Sequence, residues 1–497
     1  MMHRKFRFLL FLCFCASFFV ITTAVLLYVY GYRFSFERGI FIYSGSLTIK
    51  ATPEEVTIFI DGEEVPSNKA GILNQSYLIT GLVPGKHSVE VKAPGYHSWA
   101  KDVIIQSGIS TEFWNVFLVE ENIGKSNQER SEDTKQMYPA PKDPDLIVYA
   151  QQNQEGVKII LADTQEGDQG QDVIAELPGY QLLPTEAKEN IEWSPTEKYL
   201  LVPVTKDGVR DTAFVRIKDE ELEMVSVLTG KTNIHHLRWN PEEKSQVFYQ
   251  EGTTLVQTDV REKELDYITR FEDIQTYDLS ENYLFFLKSD GHIYRIPLAS
   301  GNVNSAIQIT REAVPLSAGD RFSLIAYNQT RFTLQNETSG ELWLYNRFGA
   351  EVFYERILNT DAKGSQFSND GKKLLYYTDS QAFVYYLRDW KVQPIRNRGD
   401  IQPLVRLANN LRFPQWHLDY EHVLYVIDGR VKIIELDNRE AQYIEDVVTF
   451  TDAVLQVLPR FGENKIYFLI APENQPSYVQ SIDFPKKEPT FIQNLLP

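Results

Sequence analysis

The sequence predicts an all-β body held by one N-terminal helix, and three observations carry that reading. Residues 8–30 form one apolar run without a charge. Beyond it, short stretches alternate apolar and polar side chains with the period of two that a half-buried strand requires. In the long C-terminal zone, aromatic residues followed by turn residues recur at spacings of roughly 40–49 residues. Tyr, Phe, Val, Ile and Thr are frequent and only 4 of 497 residues are Met, a usage that favours strands.

The helix comes first. The run FLLFLCFCASFFVITTAVLLYVY, at about 1.5 Å per residue, spans roughly 35 Å, enough for a bilayer core of about 30 Å. Arg4, Lys5 and Arg7 flank its N-terminal side, and no Asp or Glu precedes Glu37. The positive-inside rule then places residues 1–7 in the cytoplasm and sends everything after the helix across the membrane. Tyr28, Tyr30, Tyr32, Phe34 and Phe36 suit the outer interface. The run is longer than a signal-peptide core and has no small-residue cleavage pattern, so an uncleaved anchor is expected. Leu12 and Phe14, before Cys13 and Cys15, are too large for a lipidation site.

Both cysteines lie in that run, so the exported part has no disulfide. Each unit must hold itself together by burying apolar side chains. The net charge of −18 argues against nucleic acid and anionic membrane surfaces as partners.

Residues 45–119 read as a small β-sandwich. Leu47, Ile49 and Ala51 alternate with polar residues, as do Val56, Ile58 and Ile60 with their neighbours. Asp61-Gly62 signals a tight hairpin, Pro84-Gly85 a second turn, and Gly95-Tyr96 a break before Trp99 and the strands around Val103–Ile105 and Phe113–Leu118. The strings GSLTIKATPEEVTIFIDGEEV and LITGLVPGKHSVEVKAPGYHSWAKDVIIQSG resemble the PEGA domain, a small β-sandwich of bacterial and archaeal surface proteins. Pro53-Glu54-Glu55-Val56 stands where the eponymous Pro-Glu-Gly-Ala would. The resemblance implies a structural or adhesive module without catalytic residues.

Residues 120–144 are polar, charged and Pro-spaced, the composition of a linker. Residues 145–497 then repeat. The anchors are Trp193-Ser194-Pro195, Trp239-Asn240-Pro241, Phe367-Ser368-Asn369-Asp370-Gly371 and Trp416-His417-Leu418-Asp419, with weaker equivalents near Leu279, Leu324 and Val457. After an anchor comes a strand such as KYLLVPV or KLLYYT, a turn that is often Asp-Gly, and two further strands. Such units cannot bury both faces alone, and radial stacking into a β-propeller covers them. Units starting near 146, 193, 239, 279, 324, 367, 416 and 458 give about eight four-stranded blades. Seven is the alternative, with strands shared between the chain ends. FSNDGKKLLYY resembles the repeat of TolB-type propellers, and WSPTEKYLLV and WNPEEKSQVFY match it more loosely.

The chemistry-bearing motifs are few. No nucleophile elbow, phosphate loop, H-E-x-x-H or EF-hand sequence occurs. His235-His236 is the one adjacent histidine pair. Neighbouring strand residues face opposite ways, so the two should not share a metal, and at most one should face the central channel. Glu220-Glu221 and Glu242-Glu243 fall in turns, where nothing raises a carboxyl pKa. Asp61, Asp207, Asp290, Asp370 and Asp428 each precede Gly and serve turns. Asn328 and Asn336 head glycan-acceptor triplets. Trp343, Tyr345, Tyr376, Tyr377 and Trp390 are read as packing between blades. No catalytic, cofactor or metal residues are expected.

The reading is therefore a non-enzymatic scaffold, extracytoplasmic and anchored in a bacterial envelope by one helix. It is expected to bind a protein or cell-wall partner through its propeller. The alternatives are an enzyme with a dispersed site at the propeller mouth, or a structural envelope assembly factor.

Overall fold

The structure, a computed structural model, describes residues 4–484 apart from 36–38, 67–68, 71–74, 127–133, 144, 165–170, 184–188, 219–220, 233, 262–263, 281, 299–304 and 409. A helix runs over Arg4–Val29. Its segment Phe8–Val29 has a mean hydropathy of 2.5, long and apolar enough to cross a membrane. Phe8, Leu9, Phe11 and Phe14 are spread around its circumference by the helical turn of 100° and all are exposed. A short antiparallel ribbon, Tyr32–Ser35 with Ile40–Tyr43, leads from the helix to the β body.

The first unit is a sandwich of two four-stranded sheets. In one, Gly45–Thr52 lies between antiparallel Ser76–Leu82 and parallel Ser110–Phe117. In the other, Thr57–Ile60 pairs with Gly85–Lys92, which pairs with Trp99–Ile105. Alternation drives this assembly: Leu47, Ile49, Ile58, Val89, Val91, Trp99 and Val103 all point into one buried core. Asp61 and Gly62 take φ of 54° and 85°, the tight turn of a two-residue hairpin. Pro84-Gly85 marks the place where the chain crosses from one sheet to the other, and Gly95 turns with φ of 81° before Tyr96 bridges to Glu120.

Eight antiparallel sheets follow one another along the described residues, at 134–178, 181–224, 234–271, 274–308, 322–358, 364–406, 412–449 and 453–483. Each is a meander, and neighbouring sheets share apolar cores in the manner of propeller blades. The ring closes on itself. Met137, Tyr149 and Ile160 of the first blade pack with Tyr467, Leu469 and Val479 of the last. The Gln456 amide accepts from the Met137 N–H and donates to the Met137 carbonyl, both at 2.8 Å.

This closure corrects the linker boundary at 120–144. Thr134–Pro139 is the innermost strand of the first blade, paired with Leu146–Gln152. Residues 124–126 extend the eighth blade: Lys125 bridges to Ile482, and the Ser126 N–H donates to the Ser481 carbonyl at 2.9 Å. The first blade therefore has its own inner strand, and the last, three-stranded sheet is joined by a bridge from residues 124–126.

The two units share a polar, buried seam rather than a flexible joint. Lys101 of the sandwich and Glu435 of the seventh blade form an ion pair whose side chains are 1% and 5% exposed. Trp99 Nε1 donates to Glu435 Oε2 at 3.2 Å and Lys101 Nζ to the Asp437 carbonyl at 2.6 Å. Arg439 lies 4.1 Å above the Phe113 ring and donates to the Glu112 carbonyl, while Gln393 donates to the Ser110 carbonyl.

Candidate functional site

A four-stranded meander has two ends. The first–second and third–fourth connections lie at one, the second–third and blade-to-blade connections at the other. The sandwich occupies the first end of the sixth and seventh blades, through Gln393, the turn 417–421 and residues 435–439. A cavity of about 590 Å³ opens at the other end, over the second to fifth blades. Its walls include Glu189, Arg210, His236, Arg238, Asp278 and Arg321.

The site is built on inner strands. Arg238, in Ile234–Trp239, sits between two acids contributed by its neighbours: Nε lies 2.9 Å from Glu192 Oε2 and Nη1 2.6 Å from Asp278 Oδ1. Each acid also spans a blade junction. Glu192 Oε1 accepts the Trp239 N–H and Asp278 Oδ2 accepts the Ala326 N–H, at 3.3 and 2.8 Å. Glu192 holds the Arg238 guanidinium firmly charged, and Asp278 adds to this. Burial pushes the Glu192 carboxyl up, with Arg238 opposing it. At the rim, Arg210 pairs with Glu189 at 2.9 Å, and Glu189 also accepts the His236 N–H at 3.0 Å.

His235 and His236 both line this cavity, which corrects the expectation that at most one would. A bulge lies between His235 and Arg238, and His236 takes φ of 53°, so the alternation of the strand fails there. Burial, then Arg238, pushes the His236 imidazole down to about 3, so it is neutral at neutral pH. Tyr277 donates to the His236 carbonyl, and burial raises its phenol well above the ordinary value. The inner strand of the second blade is also split. Gln181–Leu182 and Glu192–Trp193 both pair with Tyr199–Lys206, and residues 183–191 intervene where that strand has only Val202 and Pro203. Glu189, between these two paired segments, lines the mouth. Every acid–base contact here joins residues at least 20 positions apart, so no local motif announces them.

The residues singled out by sequence lie elsewhere. Trp193, Trp239, Phe367 and Trp416 are buried between blades, where Trp416 Nε1 donates to the Gln366 carbonyl at 3.0 Å. Pro195 and Pro241 sit in the turns after two of them, and Asp370 with Gly371 closes a third, accepting the Lys372 N–H at 3.0 Å. Glu242 and Glu243 donate backbone N–H groups to Asn240, Glu221 begins an edge strand, and Glu220 lies outside the described residues. Asn328 and Asn336 cap their own turns, and Asn336 is buried. Trp343, Tyr345 and Tyr376 are buried; Trp390 stacks under Lys373 at 4.3 Å.

One cluster of metal-type donors was not singled out from the sequence. His417, Asp419 and His422 bring one donor atom each to within 4.8 Å of the others, at the seam with the sandwich. The signal was present in sequence, as a His-x-Asp spacing followed by a third-residue His, but the anchor pattern around Trp416 absorbed it.

No curated protein sequence matches the chain. Among solved structures, the Dos1 propeller shares 13% identity, with a TM-score of 0.48 over 73% of this chain and 95% of that one. Saccharomyces cerevisiae Sqt1 shares 12%, with a TM-score of 0.45 over 71% and 96%. The β-propeller domain of Cps50 (Swd1) from Myceliophteria thermophila shares 9%, with a TM-score of 0.38 over 73% and 100%. Residues 44–119, the sandwich, match the PEGA domain.

Proposed function

We propose that the chain is a non-enzymatic, membrane-tethered scaffold whose propeller mouth binds a protein or cell-wall peptide on the extracytoplasmic side. One observation carries this reading: the PEGA unit, which leads to the helix, occupies one end of the ring, while the 590 Å³ mouth opens at the other. The mouth is thus presented away from the tether. Its floor is a set of charge pairs already satisfied within the protein, a rigid polar surface with no dominant sign. Such a surface suits an extended peptide of mixed polarity better than a polyanion. The basic flank Arg4, Lys5 and Arg7 supports the outward orientation, and the exposed rim residues Arg321 and Ile325 offer contacts to a partner.

A photo-cross-linking residue at Ile325 tests the reading in intact cells. It should trap one discrete envelope species, and the adduct should vanish with Arg321→Glu. The same probe at Ile395, exposed at the opposite end, should not trap that species. Equal trapping at both positions, or none at Ile325, would sink the proposal.

A further inference from the structure

His417 and Asp419 lie in the turn joining the first two strands of the seventh blade, and His422 begins the second of those strands. His417 and His422 are 1% and 2% exposed. Asp419 faces both rings: Oδ1 is 3.1 Å from His417 Nδ1, and Oδ2 is 2.8 Å from His422 Nδ1. The first of these contacts lacks hydrogen-bond geometry, and neither ring nitrogen of His417 has a hydrogen-bond partner. The Nε2 of His422 has none either. Buried polar atoms without partners are costly, so an imidazole kept in this state asks for an explanation.

The turn does not supply one. At the same place in the sixth blade stand Ser368, Asp370 and Lys373, and the Ser368 hydroxyl accepts the N–H groups of Lys372 and Lys373. In the second blade Ser194 accepts those of Lys198 and Tyr199. A small hydroxyl is enough. In the seventh blade Asp419 itself accepts the N–H groups of Glu421 and His422, at 2.9 and 3.1 Å, so the turn is closed without the His417 side chain.

The surroundings are dry on one side and open on the other. Phe117 from the last sandwich strand, with Phe461 and Phe484 from the end of the ring, surrounds His417 at centroid separations of 4.9, 5.1 and 5.6 Å. A cavity of about 210 Å³ meets His417 and Asp419 and is bounded by Lys50, Thr52 and Trp114 of the sandwich.

We propose that His417, Asp419 and His422 bind a divalent transition-metal ion of the zinc class at the seam, with a fourth coordination position facing this cavity. Two imidazole nitrogens and one carboxylate oxygen form the donor set of three-ligand zinc sites, which keep one position open. One donor atom from each of the three residues lies within 4.8 Å of the others, close enough for a single ion to reach all three. Phe117 packs on both ligand rings, at 4.9 and 5.6 Å, so an ion that fixes the rings also fixes the seat of the PEGA unit. This site is independent of the mouth, at the opposite end of the ring.

The test uses the full chain in detergent, purified without a histidine tag and stripped with a chelator. Cobalt(II) should bind at about one equivalent per chain, with the visible absorption of a four-coordinate site, and zinc should displace it. Zinc should raise the thermal midpoint by several degrees. His417→Ser, which restores the hydroxyl of the second and sixth blades, should keep the metal-free circular dichroism and lose the cobalt band and the zinc shift. Asp419→Asn should weaken cobalt binding by about tenfold or more. If His417→Ser does not fold, His422→Gln gives the same reading. Absence of saturable cobalt binding to the stripped protein, or binding that survives these substitutions, would overturn the site.

Discussion

His236 shows how much one backbone angle decides. With φ of 53° it leaves the strand pattern, turns its ring into the mouth, and hands its N–H to Glu189 and its carbonyl to Tyr277. Burial and Arg238 then keep its imidazole neutral down to about pH 3. The unfolded chain takes up that proton near pH 6.5, so between these values the unfolded state binds more protons. Stability is therefore lost as pH falls from about 6.5 towards about 3, by up to about 2 kcal/mol at pH 5. His236→Asn, which tolerates the left-handed angle, should flatten the urea-midpoint profile over that window. An unchanged profile would show that the acid sensitivity arises elsewhere. Nothing in the string His235-His236 reveals the bulge, because positive φ at a non-glycine residue has no local composition.

At the scale of elements, every second inner strand reaches forward to the next. Glu192, Asp278, Gln366 and Gln456 each accept a backbone N–H from the following blade, at Trp239, Ala326, Trp416 and Met137. The last of these shuts the ring. Gln456→Leu should strand the Met137 N–H and carbonyl at a closed junction and cost about 2–4 kcal/mol, read as a lower urea midpoint. A loss below about 0.5 kcal/mol would mean that apolar packing alone closes the ring. These strands also explain what was legible. The second strands carry apolar runs such as KYLLVPV, and the wedged Trp193, Trp239 and Trp416 set the period, so the blades could be read from sequence. The inner strands line a polar channel and carry Gln136, Glu192, Arg238 and Asp278. Thr134–Pro139 thus looks like a linker because polar Thr134 and Gln136 take buried places in it. The mouth was illegible for the same reason: its partners come from different blades.

The whole molecule behaves as one body after the helix. Lys101 and Glu435 are buried against each other across the seam, and Phe117 and Val119 belong to the core of the last two blades. A chain starting at residue 40 should therefore be monomeric and unfold in one calorimetric transition. A chain starting at 145 lacks Thr134–Pro139 and residues 124–126, exposes the first and eighth blades, and should aggregate on size exclusion. Two separate transitions in the longer chain, or a monomeric shorter one, would contradict the shared seam. The bridge at 124–126 has a consequence in time as well as in space. Ser126 is made long before Ser481, its partner 355 positions later, so that edge waits unpaired while seven blades are assembled. Contacts of such long range form late, after the entropy of closing a loop of 355 residues has been spent. Folding should accordingly be slow and limited by its final stitch, and the newborn chain depends on remaining soluble until its last residues arrive.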